Sequence, residues 1–214
     1  MKSITSTVFQ IGNAVACCYL IHEKHEIYLI DTGVHLYSRT LIKILKCQPR
    51  LLNTVFITHA DGDHCGAAAE IKKYSQAQIA SSHIEAEAIR AGKMSRELRP
   101  HNKIEAFAFK LTAPFFSTQP APVDIIISPG MQFNILGGLE VIDSRGHTPD
   151  HISFFSASTG ILFSGDSIFL KNDQLIPSFG VNCWNEALSK AAFERQMRLN
   201  PNWICGGHML WRKS

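Results

Sequence analysis

Apolar and polar residues fall in blocks along this chain. Residues 4–9, 14–22 and 26–30 are rich in β-branched and aromatic side chains and are parted by short polar breaks, Gly12-Asn13 and Glu23-Lys24, which predicts a meander of strands. Asp31-Thr32-Gly33 ends the third strand, and residues 38–47 set Leu41, Ile42, Ile44 and Leu45 at helical spacing. The run 53–57 is short, apolar and partly β-branched, as a buried strand is, and it stops at the polar string Thr58-His59-Ala60-Asp61-Gly62-Asp63-His64. Helical patterns resume over 66–74 and 83–91, on either side of a short strand at 78–80. Residues 92–122 keep no firm period and contain Pro100, Pro114, Pro120, Pro122 and the pair Phe115-Phe116. They are expected to leave the core as a long excursion, and loops of that length are often functional. Strands follow over 125–128, 131–136 and 139–143, the last two joined at Gly137-Gly138 as a two-residue hairpin. A second meander continues through 152–155 and 160–164. Asn185 then caps an amphipathic helix over 186–199, and 203–205 is a closing strand.

Composition narrows the picture. With 214 residues, 45% of them hydrophobic, the chain is expected to form one domain over 1–214. Such a domain buries about 70% of its unfolded surface and needs no disulfide scaffold. Six scattered cysteines without a CxxC pair fit reduced thiols. A formal charge of +3, from 21 basic and 18 acidic residues, argues against a nucleic-acid partner. The apolar stretch 14–21 is short of the roughly 20 residues a bilayer requires, and residues 1–4 run into polar positions without the form of a signal peptide. No membrane span and a cytoplasmic location are expected.

Ten histidines are many for this length, and neutral imidazole is a common metal ligand. Four metal-competent side chains, His59, Asp61, Asp63 and His64, lie within six residues, directly after a buried strand and before a helix. The strand end lets His59, Asp61 and Asp63 turn towards one point, while Gly62 and Gly66 relieve crowding at a tight bend. Asp63 also suits the start of the following helix, where unpaired N–H groups favour negative charge. Three later segments repeat the grammar of a strand ending in glycine plus a ligand-type residue: Gly146-His147-Thr148-Pro149-Asp150-His151, Ser164-Gly165-Asp166 and Gly206-Gly207-His208.

In this order these segments, with Asp31-Thr32-Gly33, resemble the metallo-β-lactamase superfamily. The resemblance covers most of the chain. It implies an α+β fold, the four-layer αββα sandwich, with two sheets face to face and a one- or two-metal site at one edge. It also implies that His59, Asp61 and His147 bind a first metal, that Asp63, His64 and His208 bind a second, and that Asp166 bridges them. Asp31 resembles the buried acid that orients these loops by hydrogen bonds. The usual motif is His-x-His-x-Asp-His, and here Asp61 stands in the second histidine's place. The resemblance implies zinc as cofactor, two per chain; a carboxylate is a harder, anionic donor, so the site containing Asp61 is expected to be less selective for zinc and better suited to iron or manganese than an all-nitrogen site. A mononuclear site on Asp63, His64 and His208 is the other arrangement open to this donor set. His151 resembles a position of the Gly-His-Thr-x-Gly-His segment of hydroxyacylglutathione hydrolases and is expected to support ligands rather than ligate.

The chemistry implied is hydrolysis of a small-molecule substrate. Two ions about 3.5 to 4 Å apart acidify the water between them, and a metal-bound hydroxide then cleaves an ester, thioester, lactone or related bond. Asp63 would move the proton to the leaving group. Cys65 adjoins His64 but has no oriented base and is not expected to be a nucleophile. Two other classes stay open: a non-haem iron oxidoreductase related to flavodiiron proteins, suggested by Asp61, and a non-catalytic metal-binding protein. Met94, Phe107, Phe109, Phe115 and Phe116 are expected to form an apolar lid, to pack on the body or to make a homodimer contact, and Phe169-Leu170-Lys171 and Ser178-Phe179-Gly180 are expected beside the site. With Ser214 following soon after His208, the C-terminal helical domain that binds glutathione in one subfamily is not expected, and β-lactam cleavage is not expected without a secretion signal.

Overall fold

The computed structural model describes residues 1–45, 51–98, 100 and 102–213. Among these residues the strands form two large sheets. The first runs β1 (Lys2–Ser3), β2 (Val8–Asn13), β3 (Ala16–Glu23), β4 (Glu26–Ile30), β5 (Leu52–Phe56), β6 (Gln78–Ser81) and β7 (Ile125–Ile126) in spatial order. Antiparallel pairing gives way to parallel from β4 onward. The second is built from β8 (Gln132–Phe133), β9 (Leu139–Asp143), β10 (Ile152–Ser156), β11 (Ile161–Gly165), β14 (Trp203–Gly206) and β15 (Leu210–Arg212), in the order β15-β14-β11-β10-β9-β8. Between β11 and β14 the chain makes a separate hairpin, β12 (Ile168–Lys171) with β13 (Gln174–Pro177).

The α-helices are α1 (Ser38–Leu45), α2 (Gly62–Cys65), α3 (Ala68–Ser75), α4 (His83–Ala91), α5 (Lys103–Thr112) and α6 (Glu186–Arg198), with short 3-10 turns at His35–Tyr37, Ala113–Phe116 and Gly180–Asn182. Strand periodicity sorts the side chains into layers. On β5, Val55 points with Leu29 and Ile79 into a cluster that receives Leu41, Ile71 and Ile89 from α1, α3 and α4. The neighbouring Phe56 turns to the opposite face and meets Phe154 and Phe163 from the second sheet. Beyond that sheet, Ile142, Leu162 and Ile204 pack under Phe193 and Met197 of α6. The order is helices, sheet, sheet, helix, the expected sandwich.

Several expected boundaries move. Residues 4–7 form the turn between β1 and β2, and α2 adds a helical turn inside what reads as a polar loop. The expected hairpin at Gly137-Gly138 is a longer connection: the register Phe133↔Leu139 leaves five residues in the bend, and Gly138 N–H donates to Ile135 O at 2.9 Å. The excursion contains α5, whose N-terminus Asn102 caps by accepting from Glu105 N–H at 2.9 Å. Asn185 caps α6 as expected, accepting from Leu188 N–H. Cys47, at the end of the first expected helix, lies outside the described residues, and the described cysteines are free. No helix among the described residues is long and apolar enough to cross a membrane.

At the edge of the first sheet, Asp124 accepts from Ile79 N–H at 2.8 Å and from Lys72 Nζ at 2.8 Å. Burial tends to raise its carboxyl, but these donors hold it below the usual range. Such a group stabilises the fold above its unfolded pKa of about 3.9 and loses that contribution as pH falls through the lower folded value. Asp124→Asn should therefore lower Tm at pH 7 by about 2–4 °C, from about 1 kcal/mol, and the gap to wild type should close in scans below about pH 4. For the core, Phe56 is wholly buried with edge contacts to Phe133 and Phe154, its ring centroids 4.8 and 5.3 Å from theirs. Phe56→Ala should cost about 3–5 kcal/mol in denaturant unfolding.

Candidate metal centre

Strands β9, β11 and β14 run in one direction, because β10 is antiparallel to β9 and β11 while β11 and β14 are parallel. Their carboxyl ends, with those of β4 and β5, put five loops at one edge of the sandwich: the residues around Asp31, 57–63, 144–151, Asp166 and 207–208. All seven predicted residues, His59, Asp61, Asp63, His64, His147, Asp166 and His208, meet there. Two sets of donor atoms lie within 4.8 Å of one another: Asp63, His64, Asp166 and His208, and His59, His147 and Asp166. Asp166 belongs to both.

The histidines are oriented from behind. His64 Nδ1 contacts Asp31 Oδ2 at 2.8 Å, His59 Nδ1 contacts Thr58 Oγ1 at 3.0 Å, and His147 Nδ1 contacts Ser178 Oγ at 2.9 Å. His208 Nδ1 contacts Ala14 O at 3.2 Å. Each ring thereby turns Nε2 to the centre, the arrangement in which a second hydrogen bond fixes tautomer and direction. His64 Nε2 and Asp166 Oδ1 lie 3.1 Å apart, yet neither has a hydrogen-bond partner, and buried His59 Nε2 has none either. Buried donors and acceptors are normally satisfied, so atoms side by side that face a common third point are the mark of a cation site. The set of Asp63, His64, Asp166 and His208, which the resemblance assigns to a second metal, therefore fits a metal ion, and His59, Asp61 and His147 are the first set. In the first set, Asp61 Oδ2 lies 3.5 Å from His59 Nε2 and 3.3 Å from His147 Nε2, suitable spacings for donors around one ion.

Asp31 carries out the orienting role expected of it. It exits β4 at φ +58°, accepts from Thr58 N–H at 2.8 Å and from Thr58 Oγ1, and so ties the His59 loop to His64. His151 supports rather than ligates: its Nε2 accepts from Asp166 N–H at 3.1 Å while Nδ1 contacts Ser144 Oγ. Gly62 has a different role from the expected bend, because a Cβ there would lie 1.8 Å from Phe116 O. It seats the end of the excursion. Gly207 is needed for close approach, since its Cβ would lie 2.1 Å from Asp166 Oδ1.

The electrostatics divide the site. Burial opposes the charge on His208, but Asp166 and Asp63 outweigh it and lift the ring to about 11. Burial also opposes charge on Asp166, whose carboxyl His64 and His208 nevertheless hold well below its usual range. His147 goes the other way. Burial takes it down to about 4, against Asp61 and with the charge of Arg96 adding to the fall. Buried Cys65 is pushed well up by burial and by Asp61, so it stays a thiol.

Two residues at the site carry no sequence signal of their role. Glu85, wholly buried on α4, accepts from Ala60 N–H, Thr148 Oγ1 and Asp150 N–H, which pins the His59 and His147 loops together. Its one oddity in the sequence is an acid beside the apolar positions Ala86 and Ile89. Arg96, in the excursion, is buried and paired with Asp61. A cavity of about 420 Å³ opens over the centre, and Met94, Phe109, Phe116 and Phe169 form much of its apolar wall. Phe107 and Phe115 face solvent, so of the alternatives open to these aromatic residues they neither line this wall nor pack on the body.

The family model described as Metallo-beta-lactamase superfamily matches residues 14–208. Among curated proteins, YobT of Bacillus subtilis is 26% identical over 155 residues, 72% of this chain and 62% of its own length. The hydroxyacylglutathione hydrolase of Bartonella quintana is 27% identical over 152 residues, 70% of this chain and 47% of its own. The chain thus spans about half to three fifths of the relatives it matches. Among solved structures, the BLEG-1 B3 metallo-β-lactamase superposes with a TM-score of 0.74 at 20% identity, covering 96% of this chain and 93% of that one, which shows a shared fold.

Glu85→Gln should turn one acceptor into a donor facing other donors and cost about 2 kcal/mol, a Tm fall of about 4–8 °C by calorimetry. An unchanged Tm would show that the two loops hold together without it.

Proposed function

The chain belongs to the metallo-β-lactamase superfamily, and from that premise we propose that it is a metal-dependent hydrolase acting on an ester, thioester, lactone or related bond of a small, largely apolar substrate. The observation that carries this reading is the shared carboxylate, Asp166, between two inward-facing donor sets at the floor of an apolar-walled cavity. Asp63, His64, Asp166 and His208 would hold an ion, zinc being the first candidate for nitrogen and carboxylate donors. An ion so held supplies Lewis acidity and lowers the pKa of water towards 7.

The remaining chemistry belongs to this chain's own side chains. Asp63 lines the cavity with its Oδ2 3.3 Å from His208 Nε2, and its other carboxylate oxygen, where it is free of metal, would take a proton at the floor and return it to a leaving group. Phe169 stacks on His208 with centroids 5.9 Å apart, and Phe109 and Phe116 line the same cavity. These rings exclude water and favour an acyl chain over a polyanion. Thioesters head the substrate classes because the Bartonella quintana relative is named a hydroxyacylglutathione hydrolase.

With zinc supplied, short-chain thioesters and aryl esters should be cleaved. His64→Ala and His208→Ala should each lose bound metal and at least about 100-fold in kcat/KM, since even partners behind a ligand are worth 10–100-fold. Asp61→His should tighten zinc at the first donor set and retain hydrolysis. Equal metal content in wild type and His64→Ala, measured by elemental analysis, would contradict the ligand assignment.

A further inference from the structure

Arg96 puts a fixed positive charge inside the donor set that contains Asp61. The residue is 8% exposed and its Nε has no hydrogen-bond partner, so its position is set by the other two nitrogens. Nη1 donates to Asp61 Oδ1. Nη2 donates to Asn182 O at 3.2 Å and lies 3.2 Å from His147 Nε2. A guanidinium only donates, so in its bond to His147 the ring nitrogen offers its lone pair and the ring proton sits on Nδ1, towards Ser178 Oγ, with Asp61 Oδ2 also 3.3 Å from that nitrogen. That nitrogen has a single in-plane lone pair. An ion held by His59 and His147 needs the same lone pair, and a guanidinium beside a divalent cation adds repulsion between like charges. Asp61 carries a negative charge where histidine is usual, and Arg96 cancels it.

We propose that Arg96 is a resident cation of the first donor set, so that the resting protein holds one divalent ion, on Asp63, His64, Asp166 and His208, and admits a second at His59, Asp61 and His147 only when the guanidinium withdraws. Met94 and Leu98, two residues either side of Arg96, line the substrate cavity, so the segment that meets substrate also carries the competing charge. The inference rests on the metal-binding part of the functional reading and not on the bond cleaved.

The test is metal binding rather than turnover. Protein prepared without added metal is analysed for its elements, then titrated with zinc against a chromogenic chelator. Wild type should carry about one ion per chain and take a second at least tenfold more weakly, whereas Arg96→Gln should carry about two. Arg96→Lys, which keeps the charge, should remain near one. As a measurement needing no variant, nitrogen–proton NMR of the histidine rings in wild type should show the first zinc equivalent shifting His64 and His208 and leaving His59 and His147 in place. Two equally tight ions in wild type would overturn the proposal, as would an early shift of His147 or weaker first-set binding in Arg96→Gln. One tight ion without hydrolysis of any ester or thioester would remove the hydrolase reading and leave this one standing, and no ion under any condition would remove both.

Discussion

A buried lone pair with no donor facing it costs roughly 1–3 kcal/mol, and this protein gathers several in one place. His59 Nε2, His64 Nε2 and Asp166 Oδ1 are all sealed from water and unpartnered. The surrounding architecture reads as the means of holding them there. Asp31, Thr58, Ser178 and the Ala14 carbonyl each fix the far side of one ring, Glu85 ties the loops that carry two of them, and the backbone N–H of Asp166 is steadied by His151. A stability-optimised core would have no such cluster. Its presence is a local departure from good packing of the kind that marks sites of function.

Charge is balanced over the whole centre rather than residue by residue. Asp61, Asp63 and Asp166 bring three carboxylates into a small volume, with Asp31 and Glu85 behind them. Arg96 and the charged form of His208 supply the opposing sign within the protein, and a bound cation would supply more. The pairing of Asp61 with Arg96 explains why a carboxylate is tolerated where a neutral ring is common: the pair together carries no net charge. Two positions 35 residues apart thus act as one electrostatic unit.

Local signals made much of this legible before any coordinates. His59, His147, Asp166 and His208 are legible because each sits just past a strand end, the last three directly after a glycine, and strand ends are marked by the loss of apolar alternation. Elements whose stability comes from elsewhere were not. The hairpin of β12 and β13 and the short β15 lack strong periodicity and exist through pairing. Helix α5 leaves Ile104, Phe107 and Leu111 exposed, so its apolar residues do not trace a buried face and the pattern gives no helix. Arg96 and Glu85 escaped for a related reason: their partners are between 25 and 86 residues distant, and nothing in a sequence window records a contact at that range.

The seam between the two ends of the chain has a further consequence. Cys17 N–H donates to Gly207 O at 2.7 Å, and His208 Nδ1 contacts Ala14 O, so the last of the donor residues is seated by the third strand and the turn that leads into it. During synthesis the first sheet can fold while later segments are still emerging, because domains order as their residues become available. The donor set cannot. Until residue 208 has left the ribosome and returned to residues 14–17, His64 and Asp166 lack their fourth companion, so an ion captured by a nascent chain meets an incomplete shell. Assembly of that donor set therefore waits on the arrival of residue 208, the last of the four in the sequence.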